Sequence, residues 1–272
     1  MKYKKIFDLK NRIAVVTGAT GMLGKEFSLA LAEYGCKVAI IDLDLKKVTS
    51  FSNKLTKKFG VKSIGIKCDV SNTKDVKNMA KSVEEYLGPI DILLNNAASK
   101  SSSLGEYFKA LEKYNIDTWR EVIDVNLTGM YIVAKEIGTR MAKRKRGSII
   151  QTSSIYSSTM ASDQRIYKGS RYLNTTINTP AAYSASKAGV VGLSLHLASY
   201  WAKDKIRVNT LSPGGVFSGQ NKKFVENYSK RVPLNRMANK EEMIGAILYL
   251  ASDASSYVTG QNIFVDGGLS IW

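Results

Sequence analysis

Short β-branched runs alternate with long amphipathic stretches along all 272 residues, and no other feature restricts the fold as tightly. The strand-length runs are 13–17, 38–42, 63–67, 90–95, 148–152, 207–212 and 262–265. Between them, apolar residues recur at helical spacing over 24–34, 45–59, 73–86, 117–144, 182–202 and 240–251. A strand followed by a helix and another strand, repeated, packs as a mostly parallel sheet with helices on both faces. The expected fold is therefore α/β: one doubly wound, seven-stranded domain over residues 1–272, with no composition shift, repeat or low-complexity segment to divide it. Two stretches resist assignment, 99–116 and 157–179. Each is longer than most connections in a compact domain.

Bulk composition excludes several classes. A 44% hydrophobic content rules out a disordered chain, and no apolar run is long enough to cross a membrane. The N-terminal MKYKKIFDLK lacks the apolar core of a signal peptide, so a cytoplasmic protein is expected. A net charge of +17 can steer anionic partners or simply keep a lysine-rich surface solvated; because the charges are spread along the chain, both readings stand. The densest run, Lys143–Arg146, sits where a helix should end, and cations are favoured there. Cys36 and Cys68 are too few for a metal site and read as buried thiols; no metal is expected. The lone histidine, His196, reads as a packed helix residue and leaves a Ser-His-Asp hydrolase without its elbow motif.

The first strand runs into AVVTGATGMLG, whose glycines Gly18, Gly21 and Gly24 open a helix. Glycine at such a turn lets a pyrophosphate approach the backbone and rest on the helix N-terminus. The next strand ends in Asp42, whose carboxylate can accept both ribose hydroxyls of an adenosine and would repel a 2′-phosphate. No arginine follows it, so the pattern favours NAD over NADP. Asp42 can also be read as the cap of the helix that begins at Leu45.

Further along, PAAYSASKA places Tyr183 and Lys187 four residues apart, on one helix face. A free tyrosine titrates near pH 10. An ammonium ~4 Å from a phenolate stabilises it by about 1–4 kcal/mol, which would bring the phenol toward neutrality. Such a tyrosine could exchange a proton with a substrate alcohol. Read by itself, the pair is equally an amphipathic tyrosine and a solvated lysine. The nucleotide turn upstream and the strand ending in Ser153-Ser154 favour the catalytic reading.

Taken in order, TGATGMLG, CDVS (68–71), NNAA (95–98), DVNLTG (124–129), YSASK (183–187), RVNTLSPGGV (207–216) and SSYVTGQNIFVDGG (255–268) resemble the short-chain dehydrogenase/reductase family over nearly the whole chain. The resemblance implies a Rossmann fold and NAD(P)-dependent oxidoreduction. It places Gly18, Gly21, Met22, Leu23 and Gly24 at the phosphates, Asp42 at the ribose, Asp69 and Val70 at the adenine, and Asn96 and Ala97 on the adenosine side. It places Pro213, Gly214, Val216 and Ser218 at the nicotinamide. Tyr183 becomes the acid/base, Lys187 the ribose anchor, Ser154 the substrate-oxygen donor, and Asn126 part of a proton path through Lys187. It also implies a homodimer or homotetramer, with the small residues Ala185, Ser186, Gly189 and Gly192 allowing close helix packing and Trp272 near a neighbouring subunit. Two positions depart from the family pattern: Met22 stands where a glycine is usual, and Ala98 where NNAG is usual. The long insertion resembles oxidoreductases of bacterial flagellin-glycosylation and surface-sugar pathways.

Ser154 and Tyr183 are 29 residues apart, against about a dozen in the family. The extra segment within 157–179 carries Arg165, Tyr167, Lys168, Arg171 and Tyr172 beside Asp163, Gln164 and Asn174. Arginines suit phosphate or carboxylate, while amides and tyrosines suit sugar hydroxyls. The expected substrate is small, polar and anionic, a sugar, sugar phosphate or nucleotide sugar, touched by Ser154, Arg165, Tyr167, Arg171 and Tyr183. The insertion can instead serve subunit contacts. Competing functions are a 3-oxoacyl carrier-protein reductase, whose acidic partner would suit the positive surface, and a non-catalytic scaffold for nucleotide or nucleic acid, which the intact catalytic set disfavours.

Overall fold

The computed structural model describes residues 2–157, 159–172 and 175–271. Asn174, Trp272 and the side chain of Tyr172 lie outside the described residues. Seven parallel strands form one sheet in the order β3-β2-β1-β4-β5-β8-β9. They are β1 (Ile13–Thr17), β2 (Lys37–Asp42), β3 (Ser63–Lys67), β4 (Ile92–Asn95), β5 (Gly147–Thr152), β8 (Ile206–Pro213) and β9 (Asn262–Val265). A two-stranded hairpin, β6 (Arg171–Tyr172) with β7 (Thr175–Thr176), lies inside the insertion. Ten α-helices are described: α1 (Lys2–Lys5), α2 (Met22–Glu33), α3 (Leu45–Phe59), α4 (Thr73–Leu87), α5 (Leu104–Tyr107), α6 (Ile116–Ile123), α7 (Met130–Arg144), α8 (Ala181–Trp201), α9 (Lys222–Ser229) and α10 (Ile244–Ala251).

The sheet is buried on both faces, which is why its strands read as continuous apolar runs. In β1, Ala14 and Val16 face α2, α3 and α10, whose Phe27, Leu31, Leu55 and Ile247 are buried there. Ile13 and Val15 face α4, α7 and α8, through Val76, Val83, Ile137 and Trp201. This two-residue alternation fixes the register of the central strand. Strand order reverses between β1 and β4, and such reversals open a crevice at the carboxyl ends of the strands.

Several expectations need correction. The stretch 117–144 is not one helix: α6 and α7 are joined by a single π-helical turn, Asp124–Gly129. Wider turns of this kind recur at functional sites. Asp42 does not cap α3. Asp44 does, accepting from the Lys47 amide at 3.1 Å. His196 is exposed, stacked against Tyr200 at 6.0 Å, because its face of α8 is turned away from the sheet. Of the small residues on α8, Gly189 serves packing within the chain, since a Cβ there would lie 2.7 Å from Leu127; Gly192 faces open space. Cys36 and Cys68 are buried free thiols, each pushed up to about 12, mainly by burial. Among the described residues, no helix is long and apolar enough to cross a membrane.

Candidate active site

The turn after β1 is built for close approach. Gly18 adopts φ +62°, and a Cβ there would lie 2.9 Å from the Ala97 Cα. At Gly24 a Cβ would fall 2.1 Å from the Gly18 carbonyl oxygen, so only glycine lets α2 start this close to the strand. Gly21 caps α2 without any side-chain bond to the first amides, which leaves those N–H groups for an anion. Across the turn, Thr20 donates its amide (2.9 Å) and hydroxyl (2.6 Å) to one oxygen of Asp42, while the Leu43 amide binds the other at 2.8 Å. The carboxylate is fixed in place.

Thr17, the last residue of β1, ties the turn to β4. Its hydroxyl donates to Asn95 and accepts the amides of Asn96 (2.9 Å) and Ala97 (3.1 Å). Sequence reasoning missed Thr17 and Thr20 because a threonine beside three glycines carries no signature of its own.

A cavity of about 970 Å³ opens along these strand ends. Its walls contain Gly18, Gly21, Met22, Leu23, Gly24, Asp42, Asp69, Val70, Asn96, Ala97, Pro213, Gly214, Val216 and Ser218, together with Ser154, Tyr183 and Lys187. Every residue expected at the cofactor is thus brought to one space. Its volume, the unsatisfied helix terminus and the fixed carboxylate fit a dinucleotide.

At the inner end stand Ser154 and Tyr183. Burial raises the Tyr183 phenol above its ordinary value; the neighbouring Ser154 hydroxyl acts the other way and favours the phenolate. Lys187 is 3% exposed and donates to the Thr152 carbonyl at 2.9 Å, with its Nζ 5.9 Å from the Tyr183 ring centre. Burial lowers its ammonium to about 8. The expectation that Lys187 acidifies Tyr183 is therefore corrected for the protein alone: the cation is turned to a carbonyl and is weakened by the same burial that raises the phenol. Ser153, also unanticipated, donates to the Lys187 carbonyl at 2.7 Å and fixes α8 to β5.

Asn126 sits in the π turn, fully buried and outside the cavity wall. Its side chain accepts the Ser99 amide at 2.7 Å and donates to the Ser99 carbonyl at 3.2 Å. Both ends of the amide are engaged, so Asn126 holds the irregular segment that follows β4 beside the cavity.

The insertion does not deliver its arginines to this site. Arg165 pairs with Asp163 at 2.9 Å and its side chain is 80% exposed, while Arg171 is exposed on β6. Neither they nor Tyr167 line the cavity. Tyr167 instead bonds the Thr179 hydroxyl at 2.5 Å and packs on Phe224. What the insertion brings toward Tyr183 is apolar and aromatic: Met160, Tyr167 and Ile177 pack in one cluster with Tyr156, Phe224 and Tyr228. A short hydrophobic stretch in a loop gave no sign of that, because its partner helix α9 was itself not foreseen.

A seven-stranded parallel sheet that presents a dinucleotide turn, and beside it a serine, a tyrosine and a buried lysine, defines a nicotinamide-dependent oxidoreductase. Similarity to known proteins narrows the class. The short chain dehydrogenase profile matches residues 12–229, and the chain belongs to that family. It is 34% identical over 270 residues to the sorbose reductase of Candida albicans, covering 97% of this chain and 88% of the relative. It is 30% identical to the NADP-dependent mannitol dehydrogenase of Alternaria alternata, over 98% and 96% of the two chains. The crystal structure of a gluconate 5-dehydrogenase from Burkholderia cenocepacia, in complex with NADP and tartrate, superposes with a TM-score of 0.86 at 30% identity, covering 98% of each chain.

Proposed function

We propose that the chain is an NAD-dependent polyol dehydrogenase, working in reverse as a ketose reductase on an uncharged polyhydroxy substrate. The observation that carries this reading is the meeting of Ser154, Tyr183 and the buried Lys187 on the wall of the dinucleotide cavity, with Ser154 near enough to act on the Tyr183 hydroxyl. Bound nicotinamide supplies or accepts the hydride. The chain's own groups manage the oxygen: Ser154 holds it, and Tyr183 takes its proton during oxidation or returns one during reduction. Lys187, on the cavity wall one helical turn from Tyr183, would hold the nicotinamide ribose. Asn126 keeps the segment around Ser99 in place.

Polyols are supported by the sorbose and mannitol enzymes among the relatives. The anionic substrate expected from the insertion loses its support, because its arginines are turned elsewhere. For the cofactor, Asp42 argues for NAD although the mannitol enzyme is named NADP-dependent. Among the described residues, the only cations on the cavity wall are Lys100 and Lys187, and no arginine stands there to receive a 2′-phosphate. We also propose a homo-oligomer, with exposed Leu195 and Tyr200 of α8 in the contact.

A panel of polyols, ketoses, sugar phosphates and an acetoacetyl thioester, run with NAD(H) and NADP(H), tests this reading. Turnover of a polyol or ketose is expected, with kcat/KM at least about tenfold higher for NAD(H), given the cost of setting a phosphate against a fixed carboxylate. Preference for the thioester, or for NADP(H), contradicts it.

A further inference from the structure

We propose that Asp163 is a positioning residue for the polyol reaction: through Arg231 it braces the insertion against α9, and so holds the substrate wall over Tyr183. This rests on the polyol reading above.

The insertion begins at Ser157, shortly after β5 ends at Thr152, and returns at Pro180, where the Tyr183 amide bonds the Pro180 carbonyl at 3.1 Å. Its 3₁₀ turn, Gln164–Tyr167, lies on α9. Tyr167 stands 5.5 Å from Phe224 ring to ring, and Ile166 is buried. Asn227 of α9 donates to the carbonyls of Ile166 (3.2 Å) and Lys168 (3.0 Å). Asp163 starts this turn, accepting the Arg165 amide at 2.9 Å. Its other oxygen pairs with Arg231, just beyond α9.

The Asp163 side chain is 13% exposed and that of Arg231 31%, so the pair is more sheltered than the Asp163–Arg165 contact, where the arginine is 80% exposed. A charge-assisted bond between sheltered groups is stronger and harder to replace with water than an exposed one.

From Arg231 the connection reaches the cofactor loop. The Arg231 amide bonds the Tyr228 carbonyl at 3.0 Å. The Tyr228 hydroxyl in turn accepts the amide of Gly215, which follows the cavity residues Pro213 and Gly214. On the opposite side, Tyr167 and Gln164 both bond Thr179, at the entry to the helix that carries Tyr183. Asp163 thus stands where the two supports of the substrate wall meet. It lies outside the cavity wall.

Asp163→Asn keeps the shape and the capping acceptor but removes the charge. Arg231→Gln removes the other charge, and Arg231→Lys preserves it. Each neutral variant should raise KM for the polyol about tenfold, as expected for loss of one sheltered charge-assisted bond. kcat and NADH affinity should stay within about threefold of the parent, and Arg231→Lys should stay nearer to it. The effects of Asp163→Asn and Arg231→Gln should fall well short of multiplying in the double variant, since each single already removes the Asp163–Arg231 pair.

Amide exchange supplies a readout independent of substrate: in Asp163→Asn, residues 164–168 and 222–229 should lose protection together while β1, β4 and β5 keep theirs. An unchanged KM, effects that multiply in the double variant, or lost protection confined to one of the two segments overturns the proposal. A wild-type enzyme silent on every polyol removes the polyol reading, and coupled or uncoupled exchange then decides the brace by itself.

Discussion

Lys187 shows what a residue's identity reveals and what it conceals. Its place four residues after Tyr183 is legible in the sequence, because helical spacing puts both on one face. Its electrostatic state is not, because burial comes from β5 and α8 closing together. In the fold its ammonium is lowered to about 8 from 10.5, so across that interval the unfolded chain binds the proton and the folded chain does not. Stability therefore rises with pH through the window, and below about pH 8 the cost of burying the charge is fully present. Cys36 and Cys68, raised from 9.0 to about 12, pull the other way from about pH 9 in parent and variant alike, so the readout is a difference: urea unfolding between about pH 7.5 and 9.5 should show the parent gaining stability relative to Lys187→Met as pH rises. Equal slopes in the two proteins would contradict the burial. Above this range the tyrosines intervene with opposite sign: Tyr228, raised to about 12 chiefly by burial, stays protonated in the fold while the unfolded phenol ionises.

At the scale of elements, the glycine turn and α2 act as one unit. Gly24→Ala would drive a Cβ into the Gly18 carbonyl, and the helix must back away from the strand to admit it. The expected result is an NADH Kd raised at least about tenfold and a melting temperature several degrees lower, measured by fluorescence titration and calorimetry. Parent-like values in both would show that the turn tolerates the shift. The strands were legible almost to the residue because burial on both faces makes them continuous apolar runs. The break between α6 and α7 was not, since a π turn leaves the apolar period nearly intact. Nor was α9: its eight residues, KKFVENYS, present only Phe224, Val225 and Tyr228 to the core, too few to establish a period. That Arg165 and Arg171 stand off the cavity wall was equally hidden. Without α9 there was no Arg231 to claim Asp163, and the arginines looked available.

Over the whole molecule, the sheet order puts the β1/β4 crevice, the dinucleotide turn and the Tyr183 helix at one end, and this is what makes a single cavity of the scattered motifs. That much follows from strand–helix alternation and a handful of spacings. The substrate does not, because the wall beyond Tyr183 is assembled from the insertion and α9, two segments without periodic signal. The proposed function divides the labour: the scaffold would bind the dinucleotide, and the Tyr183 hydroxyl would move the proton. Tyr183→Phe separates the two. The measurement is turnover beside NADH affinity in the same preparation, with kcat expected to fall by about 10²–10⁴ while Kd for NADH and the melting temperature hold. Retention of more than about a tenth of the parent's turnover, with the ring hydroxyl gone, would contradict the account.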